Sequence, residues 1–322
     1  MSRLEIRSFE SVHVADAAAL LALRHRRHRA SQPWLPPRYE DHDAAAVEVS
    51  AAFAADQASG AVAYRGGQMI GYLLGSPKST EPWGPNIWIE SAGQASDEAD
   101  VMRDLYGHAA ARWVDEGRTA HYVLTPATDV DLVRAWFRVG FGQQHVHGVC
   151  GLPRHAAPVP AGLIIRRAIR SDIPALAQLD LELPLHQGLS PTFSSGRVGT
   201  LEESIADWES DFDSPDFATF VAERDGKVIG SAVGCALTKS SSHAGLARPD
   251  QAGFLGFAAV FPHARGTGAG RALGEAVLAW SAETGFTCVV TDWRVTNLLS
   301  SRAWPALGFE ESFLRLHRLI GY

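Results

Sequence analysis

The stretch Phe254–Arg271, FLGFAAVFPHARGTGAGR, holds the clearest chemical signal in the chain. An apolar run of strand character, Phe254–Phe261, stops at Pro262, and the glycine-rich turn Arg265-Gly266-Thr267-Gly268-Ala269-Gly270 follows. Leu273, Ala276, Val277 and Trp280 then fall on one face at helical spacing. Strand, glycine turn and helix together place bare backbone N–H groups around a phosphate. Glycine lets the backbone approach closely, and the helix N-terminus adds partial positive charge. The expectation is a phosphorylated cofactor bound near Gly268.

The spacing narrows the choice. A phosphate loop of the nucleotide-hydrolysing type needs Lys-Ser or Lys-Thr after its last glycine, and here Arg271-Ala272 follows. A dinucleotide fold needs G-x-G-x-x-G, and Gly266-x-Gly268-x-Gly270 does not have that spacing. Arg265, Gly268 and Gly270 do fit Arg-x-x-Gly-x-Gly. That pattern resembles the pyrophosphate-binding motif of the GNAT superfamily of acyl-CoA-dependent N-acetyltransferases.

The elements that must hold this turn can be laid out from the sequence. Leu163–Arg167 reads as a strand, and Asp172 as an N-cap with Pro174 in the first turn of a helix running to Leu183. A helix over Leu201–Phe212 and a hairpin over 218–238 follow. Then come a strand over 253–260, a helix over 268–284, a strand over 287–293, a helix over 297–307 and a strand over 312–320. Segment 239–250, KSSSHAGLARPD, reads as a polar, mobile loop. This order resembles that of the GNAT fold.

The plan occurs twice. AVAYRGGQMIGYLLG (61–75) aligns with FVAERDGKVIGSAVG (220–234), Val62 falling on Val221, 159 residues on. Both read as hairpins with a glycine turn. Leu4–Arg7 and Leu163–Arg166 match at the same offset, and RAWFRVGF (134–141) matches RAWPALGF (302–309). The three matches occur in the same order, so a whole domain is duplicated. Gly151–Ala161, with Pro153, Pro158 and Pro160, reads as an extended linker. The expectation is an α/β (α+β) protein of two tandem GNAT-like domains, 1–152 and 162–322, each a mixed sheet flanked by helices.

The resemblance implies roles for particular residues. The backbone of Ala258, Ala259 and Val260 would pair with the pantetheine arm of acetyl-CoA. The amides of Arg265, Gly266, Thr267, Gly268, Ala269 and Gly270 would cradle the pyrophosphate, with the Arg265 or Arg271 side chain nearby. Asn297 matches an asparagine that contacts pantetheine, and it also reads as a helix cap. Gly308-Phe309 is a helix stop and core anchor. Trp304 stands where the family commonly has a tyrosine that protonates the leaving thiolate. An indole N–H donates a hydrogen bond but is no acid near neutral pH, so packing against cofactor or core is the favoured role. A base must take the ammonium proton of the acceptor; Asp292, His263 and His243 are candidates. Asp211, Asp213, Trp208 and His186 fall in the region that lines acceptor sites.

In the first copy the glycine turn is replaced by Ala95-Ser96-Asp97-Glu98-Ala99-Asp100. Ser96 followed by acids suits a helix start, while three carboxylates would repel phosphates. The first domain is therefore expected to lack acyl-CoA. The basic run Arg24-His25-Arg26-Arg27-His28-Arg29 reads as a solvated helix end, or as a contact for an acidic group such as the CoA 3′-phosphate.

Composition excludes other classes. The 322 residues are 46% hydrophobic, enough for a core in each of two domains, and the net charge of −7 argues against a general nucleic-acid binder. Cys150, Cys235 and Cys288 are far apart, which suits free buried thiols and gives no metal spacing. No apolar run approaches a membrane span, and the charged N-terminus lacks a signal-peptide core, so a cytoplasmic protein is expected. The resulting expectation is an N-acyltransferase, acetyl by default, passing the acyl group directly to a primary amine of a small molecule or peptide, with no metal. A non-catalytic acyl-CoA sensor is the rival. A thiol-sugar amine, as in the tandem member mycothiol synthase, is an alternative acceptor.

Overall fold

The computed structural model describes residues 3–152, 158–194 and 196–321; the linker residues 153–157 lie outside the described residues. The chain divides into two compact units that are not contiguous in sequence. The first takes Met1–His147, His243–Asp250 and Glu311–Tyr322, and the second Gly148–Ser242 and Gln251–Glu310.

The first unit opens with β1 (Leu4–Ser8), α1 (Val14–Ser31) and α2 (His42–Ala54). The hairpin β2 (Ser59–Arg65) and β3 (Gln68–Gly75) follows, then the short α3 (Thr80–Trp83), β4 (Asn86–Ile89) and β5 (Gln94–Ser96). Next come α4 (Val101–Asp115), β6 (Ala120–Pro126), α5 (Val130–Arg138) and β7 (Gly142–Gly151), whose residues from Gly148 on count with the second unit. One sheet has the order β1-β2-β3-β5. β4 instead pairs in parallel with β6. α4 packs through Val101, Met102, Leu105, Tyr106, Ala109 and Trp113, the repeat expected of a helix with one apolar stripe. Trp113 is fully buried and donates its indole N–H to Ser59 Oγ at 2.8 Å.

Three sequence expectations for this unit change. The acidic run after Ser96 does not start a helix: Ser96 ends β5, and α4 begins at Val101, because the Asp97 amide is still bonded to the Ile70 carbonyl of the sheet. The basic run on α1 is not a solvated helix end. Arg24, His25 and His28 are buried. The Arg24 guanidinium donates to the carbonyls of Ser91 (2.6 Å) and Gln94, and the His25 ring bonds the Pro36 carbonyl at 2.8 Å. Segment 239–250 is not simply a polar mobile loop, since its part His243–Asp250 places Leu246 and Ala247 in the core of this unit. The buried Leu246 and Ala247 outweigh the polar composition around them.

The second unit contains β8 (Ile164–Arg167), α6 (Ile173–Gly188), α7 (Leu201–Asp211), β9 (Phe217–Arg224) and β10 (Lys227–Ala236). It continues with β11 (Ala252–Val260), α8 (Ala269–Thr284), β12 (Cys288–Arg294) and α9 (Ser300–Ala306). The order β8-β9-β10-β11-β12 runs across its sheet. Asp172 holds the N-cap position of α6, as expected, but its side chain makes no capping bond to the helix. Its carboxylate is taken by the Arg166 guanidinium and the Ile169 amide instead, at 2.7–3.0 Å. The last strand, β13 (Glu310–Leu319), pairs antiparallel with β6 and buries Phe313 in the core of the first unit. Its alternation announced a strand, but alternation does not say which sheet receives it.

The duplication is visible in backbone detail. Both hairpins turn on two residues of positive φ, Gly66-Gly67 (60° and 84°) and Asp225-Gly226 (51° and 72°), as a type I′ turn requires. Both carry a bulge on the second strand, at Ile70 and at Ile229, 159 residues apart. α5 and α9 also stop alike. Gly140 (84°) and Gly308 (96°) are left-handed, and the amides of Phe141 and Phe309 reach back to the carbonyls of Trp136 and Trp304.

Candidate active site in the second unit

β11 pairs with β10 along most of its length but with β12 only over Ala252–Phe254, opposite Cys288–Val290. The parallel ladder stops there because the Thr291 hydroxyl takes the Leu255 carbonyl at 2.8 Å. Gly256 is the extra residue of a bulge opposite β10, and a side chain there would meet the Phe254 ring. Beyond this point the β12-facing edge of β11, including Ala258, Ala259 and Val260, has no strand partner among the described residues. An open edge of this kind accepts an extended amide-bearing ligand as an added strand.

The chain leaves that edge through the turn Pro262–Ala264 and enters the glycine turn. Gly266 and Gly268 have φ of 79° and 87°, values that an L side chain rarely adopts, whereas Gly270 has an ordinary backbone. Gly268 is the N-cap of α8. Among the described residues, no backbone carbonyl accepts from the six consecutive amides of Gly266, Thr267, Gly268, Ala269, Gly270 and Arg271; the next, Ala272, donates to Gly268. Thr267 Oγ is bonded to the Ala264 carbonyl at 2.7 Å, which fixes the bend of the turn. The Arg265 guanidinium lies 3.9 Å from the Glu182 carboxylate of α6, and Arg271 pairs with Glu275 at 2.8 Å. Bare amides, a helix dipole and two guanidiniums can together hold a doubly charged diphosphate.

Asn297 is buried in the turn before α9. Its Oδ1 accepts from the amides of Leu299 and Ser300 and meets His186 Nε2 at 3.2 Å. Trp304 is buried, edge-on to Phe309, with its ring 3.6 Å from where a side chain at Gly274 of α8 would begin. His263 is exposed and stacked on Phe261. Asp292 is half-buried on β12 beyond the paired segment. His243 belongs to the first unit, where it is buried and stacked on His147 at 4.1 Å, and burial pushes its pKa down to about 4. In the helical region, Trp208 donates to Asp180 at 2.6 Å and Asp213 pairs with Arg170, while Asp211 is exposed. Asp180 is pushed up by burial, partly offset by the Trp208 and Ser204 hydrogen bonds. Cys150, Cys235 and Cys288 are free and buried; burial raises all three thiols, Cys150 and Cys288 to about 11. They are poor nucleophiles.

Residues 184–309 match the model of the Acetyltransferase (GNAT) family. Over 149 residues the chain is 33% identical to aminoglycoside N(6′)-acetyltransferase type 1 of Stenotrophomonas maltophilia, covering 86% of that protein and 46% of this chain. The chain belongs to the GNAT acetyltransferase family. The GNAT fold extends over both units: a GCN5-related N-acetyltransferase from Sphaerobacter thermophilus superposes with a TM-score of 0.55 at 14% identity, covering 99% of this chain and 97% of that one. A GCN5-related glucosamine N-acetyltransferase region of a fungal multi-domain β-N-acetylglucosaminidase gives a TM-score of 0.51 at 14% identity, over 99% of this chain and 38% of that one. This GNAT chain is thus an N-acetyltransferase of mixed α/β fold. None of its helices among the described residues is long and apolar enough to cross a membrane.

The structure brings together residues that the sequence did not single out. Gly256, an isolated glycine inside a strand pattern, was a readable bulge signal. Thr291 left no such signal, because a threonine that ends a ladder looks like any strand threonine.

Proposed function

We propose that this GNAT protein transfers the acetyl group of acetyl-CoA directly to a primary amine of a small molecule, using one coenzyme site, in the second unit. The observation that carries the reading is the run of six amides, 266–271, from which no carbonyl among the described residues accepts, at the end of an open strand edge. The edge at Ala258, Ala259 and Val260 takes the pantetheine amides. The turn Arg265–Gly270 takes the diphosphate, with Arg265 and Arg271 beside it. Asn297 closes the other side of the arm. Backbone N–H groups of the splayed segment face the thioester oxygen and stabilise its negative charge as the amine adds. Trp304 packs α9 on α8 and handles no proton. His263, stacked beside the phosphate end, is remote from the thioester in this arrangement.

For the acceptor, the relative from Stenotrophomonas maltophilia is named for an aminoglycoside, a polyamine sugar. The exposed carboxylates Glu202, Asp207 and Asp211 of α7 suit a cationic acceptor of that class. The test is acetyl transfer from acetyl-CoA to a panel of aminoglycosides, simple amines and peptides. Product with at least one aminoglycoside or small amine is expected. Saturable acetyl-CoA binding with no acetylated product would replace this reading by that of a sensor.

The first unit keeps the scaffold without the cup. Its equivalent turn carries Asp97, Glu98 and Asp100, with Glu98 paired to Arg65 and Asp100 to Arg103 and Arg138. Coenzyme stoichiometry is expected to be one per chain, and to stay one in Asp97→Ala. Two molecules bound per chain in calorimetry would contradict the single-site assignment.

A further inference from the structure

Glu182 and His186 lie four residues apart on α6 and therefore share a face. Glu182 reaches toward Arg265 of the glycine turn (3.9 Å), and His186 touches Asn297 (3.2 Å). One helix face thus runs from the phosphate turn to the asparagine of the coenzyme arm. The contact also fixes a tautomer. Two backbone amides, of Leu299 and Ser300, donate to the same Asn297 atom, which identifies that atom as the amide oxygen. An oxygen only accepts, so His186 donates from Nε2. In the neutral ring the lone pair then sits on Nδ1. The half-buried His186 is thus oriented, with Nε2–H on Asn297 and the lone pair on Nδ1.

We propose that His186 is the catalytic base of this GNAT enzyme, its Nδ1 receiving the ammonium proton of the acceptor and its Nε2–H anchored on Asn297. The inference rests on the coenzyme site proposed above. The proton of R–NH3+ moves to Nδ1, and the freed lone pair forms the N–C bond to the thioester carbon while the C=O π pair moves to oxygen. That pair returns as the C–S bond breaks onto sulfur. One of the two remaining nitrogen protons goes to the thiolate, giving CoA–SH and the amide R–NH–acetyl. His186 then gives its proton to solvent. Because the nitrogen itself supplies the thiolate proton, no acid is needed at Trp304.

The test compares wild type, His186→Asn and Asp292→Asn. Acetyl-CoA affinity is measured by calorimetry, and kcat/KM across pH with the amine that wild type turns over fastest. In His186→Asn, kcat/KM should fall about 10²-fold or more, the size of a lost general base. Its remaining rate should simply follow the free-amine fraction of the acceptor as pH changes, and coenzyme affinity should be unchanged. Glu182, one turn back, and its partner Arg265 are intact in every variant. A His186→Asn enzyme with wild-type kcat/KM and pH profile, or the loss of rate and changed profile found only in Asp292→Asn, overturns the proposal. Independently of turnover, the 15N spectrum of labelled histidine should show His186 as the Nε2–H tautomer; an Nδ1–H ring overturns it. Failure of wild type to bind acetyl-CoA would sink the coenzyme site itself, and the base assignment with it.

Discussion

Gly268→Asp is expected to abolish coenzyme A binding and to leave the protein folded. Gly268 has φ of 87°, where an L side chain costs about 1–2 kcal/mol. Its Cβ would begin 3.0 Å from Pro160 Cγ, close enough that the ring must give by a few tenths of an ångström. Against that, a carboxylate at the N-cap of α8 is favourable in the free protein, because it accepts the bare amides and meets the helix dipole. Those are the groups assigned to the diphosphate. A unit charge about 4 Å from another of like sign costs about 4 kcal/mol at an effective dielectric near 20, which is about a 10³-fold loss of affinity. Gly270→Ala is the contrasting variant: its backbone is ordinary, and its Cβ would lie 3.6 Å from Val260 Cγ2, a normal contact. Calorimetry should find no binding to Gly268→Asp and measurable binding to Gly270→Ala. Equal affinity of Gly268→Asp and wild type would remove the diphosphate from this turn.

What could be read before the structure was local. The glycine turn was legible because the left-handed backbone at 266 and 268 favours glycine over any L side chain, and a helical stripe began immediately after it. The paired hairpins were legible for the same reason: type I′ turns favour Gly-Gly and Asp-Gly, so Gly66-Gly67 and Asp225-Gly226 mark both turns in residue identity. What could not be read was tertiary. Nothing in the alternation of Glu310–Leu319 says that it joins β6. Nothing in Arg24–Arg29 says that Arg24 caps two carbonyls inside the protein while Arg26 and Arg27 face water. The pairing of His186 with Asn297 spans 111 residues, and neither residue carries a local mark of it. The catalytic group lies in this second class, since a base is defined by what it faces.

The buried histidines of the first unit make a separate expectation, acid lability of that unit. His25, His28 and His243 are held neutral mainly by burial, with Arg24 adding repulsion at His25 and His28 and Arg248 at His243. Their pKa values fall to about 4, about 3 and about 4, from an ordinary 6.5. The unfolded chain therefore binds more protons than the native one below pH 6.5, and stability falls as pH drops from there toward 4. At pH 4 each histidine costs about 3 kcal/mol, and the three together rival the whole stability of an ordinary domain. Near-UV circular dichroism should show cooperative loss of structure between pH 6 and 4, before most carboxylates titrate. His28 packs edge-on to Phe313 at 4.7 Å, so His28→Phe keeps an aromatic ring there and removes one proton site. Its acid midpoint should move down in pH. If that variant does not fold, NMR titration of wild type decides the matter: the His28 resonance should stay at its neutral position until the unit unfolds. A native His28 that titrates near pH 6.5 would show that burial does not hold it neutral.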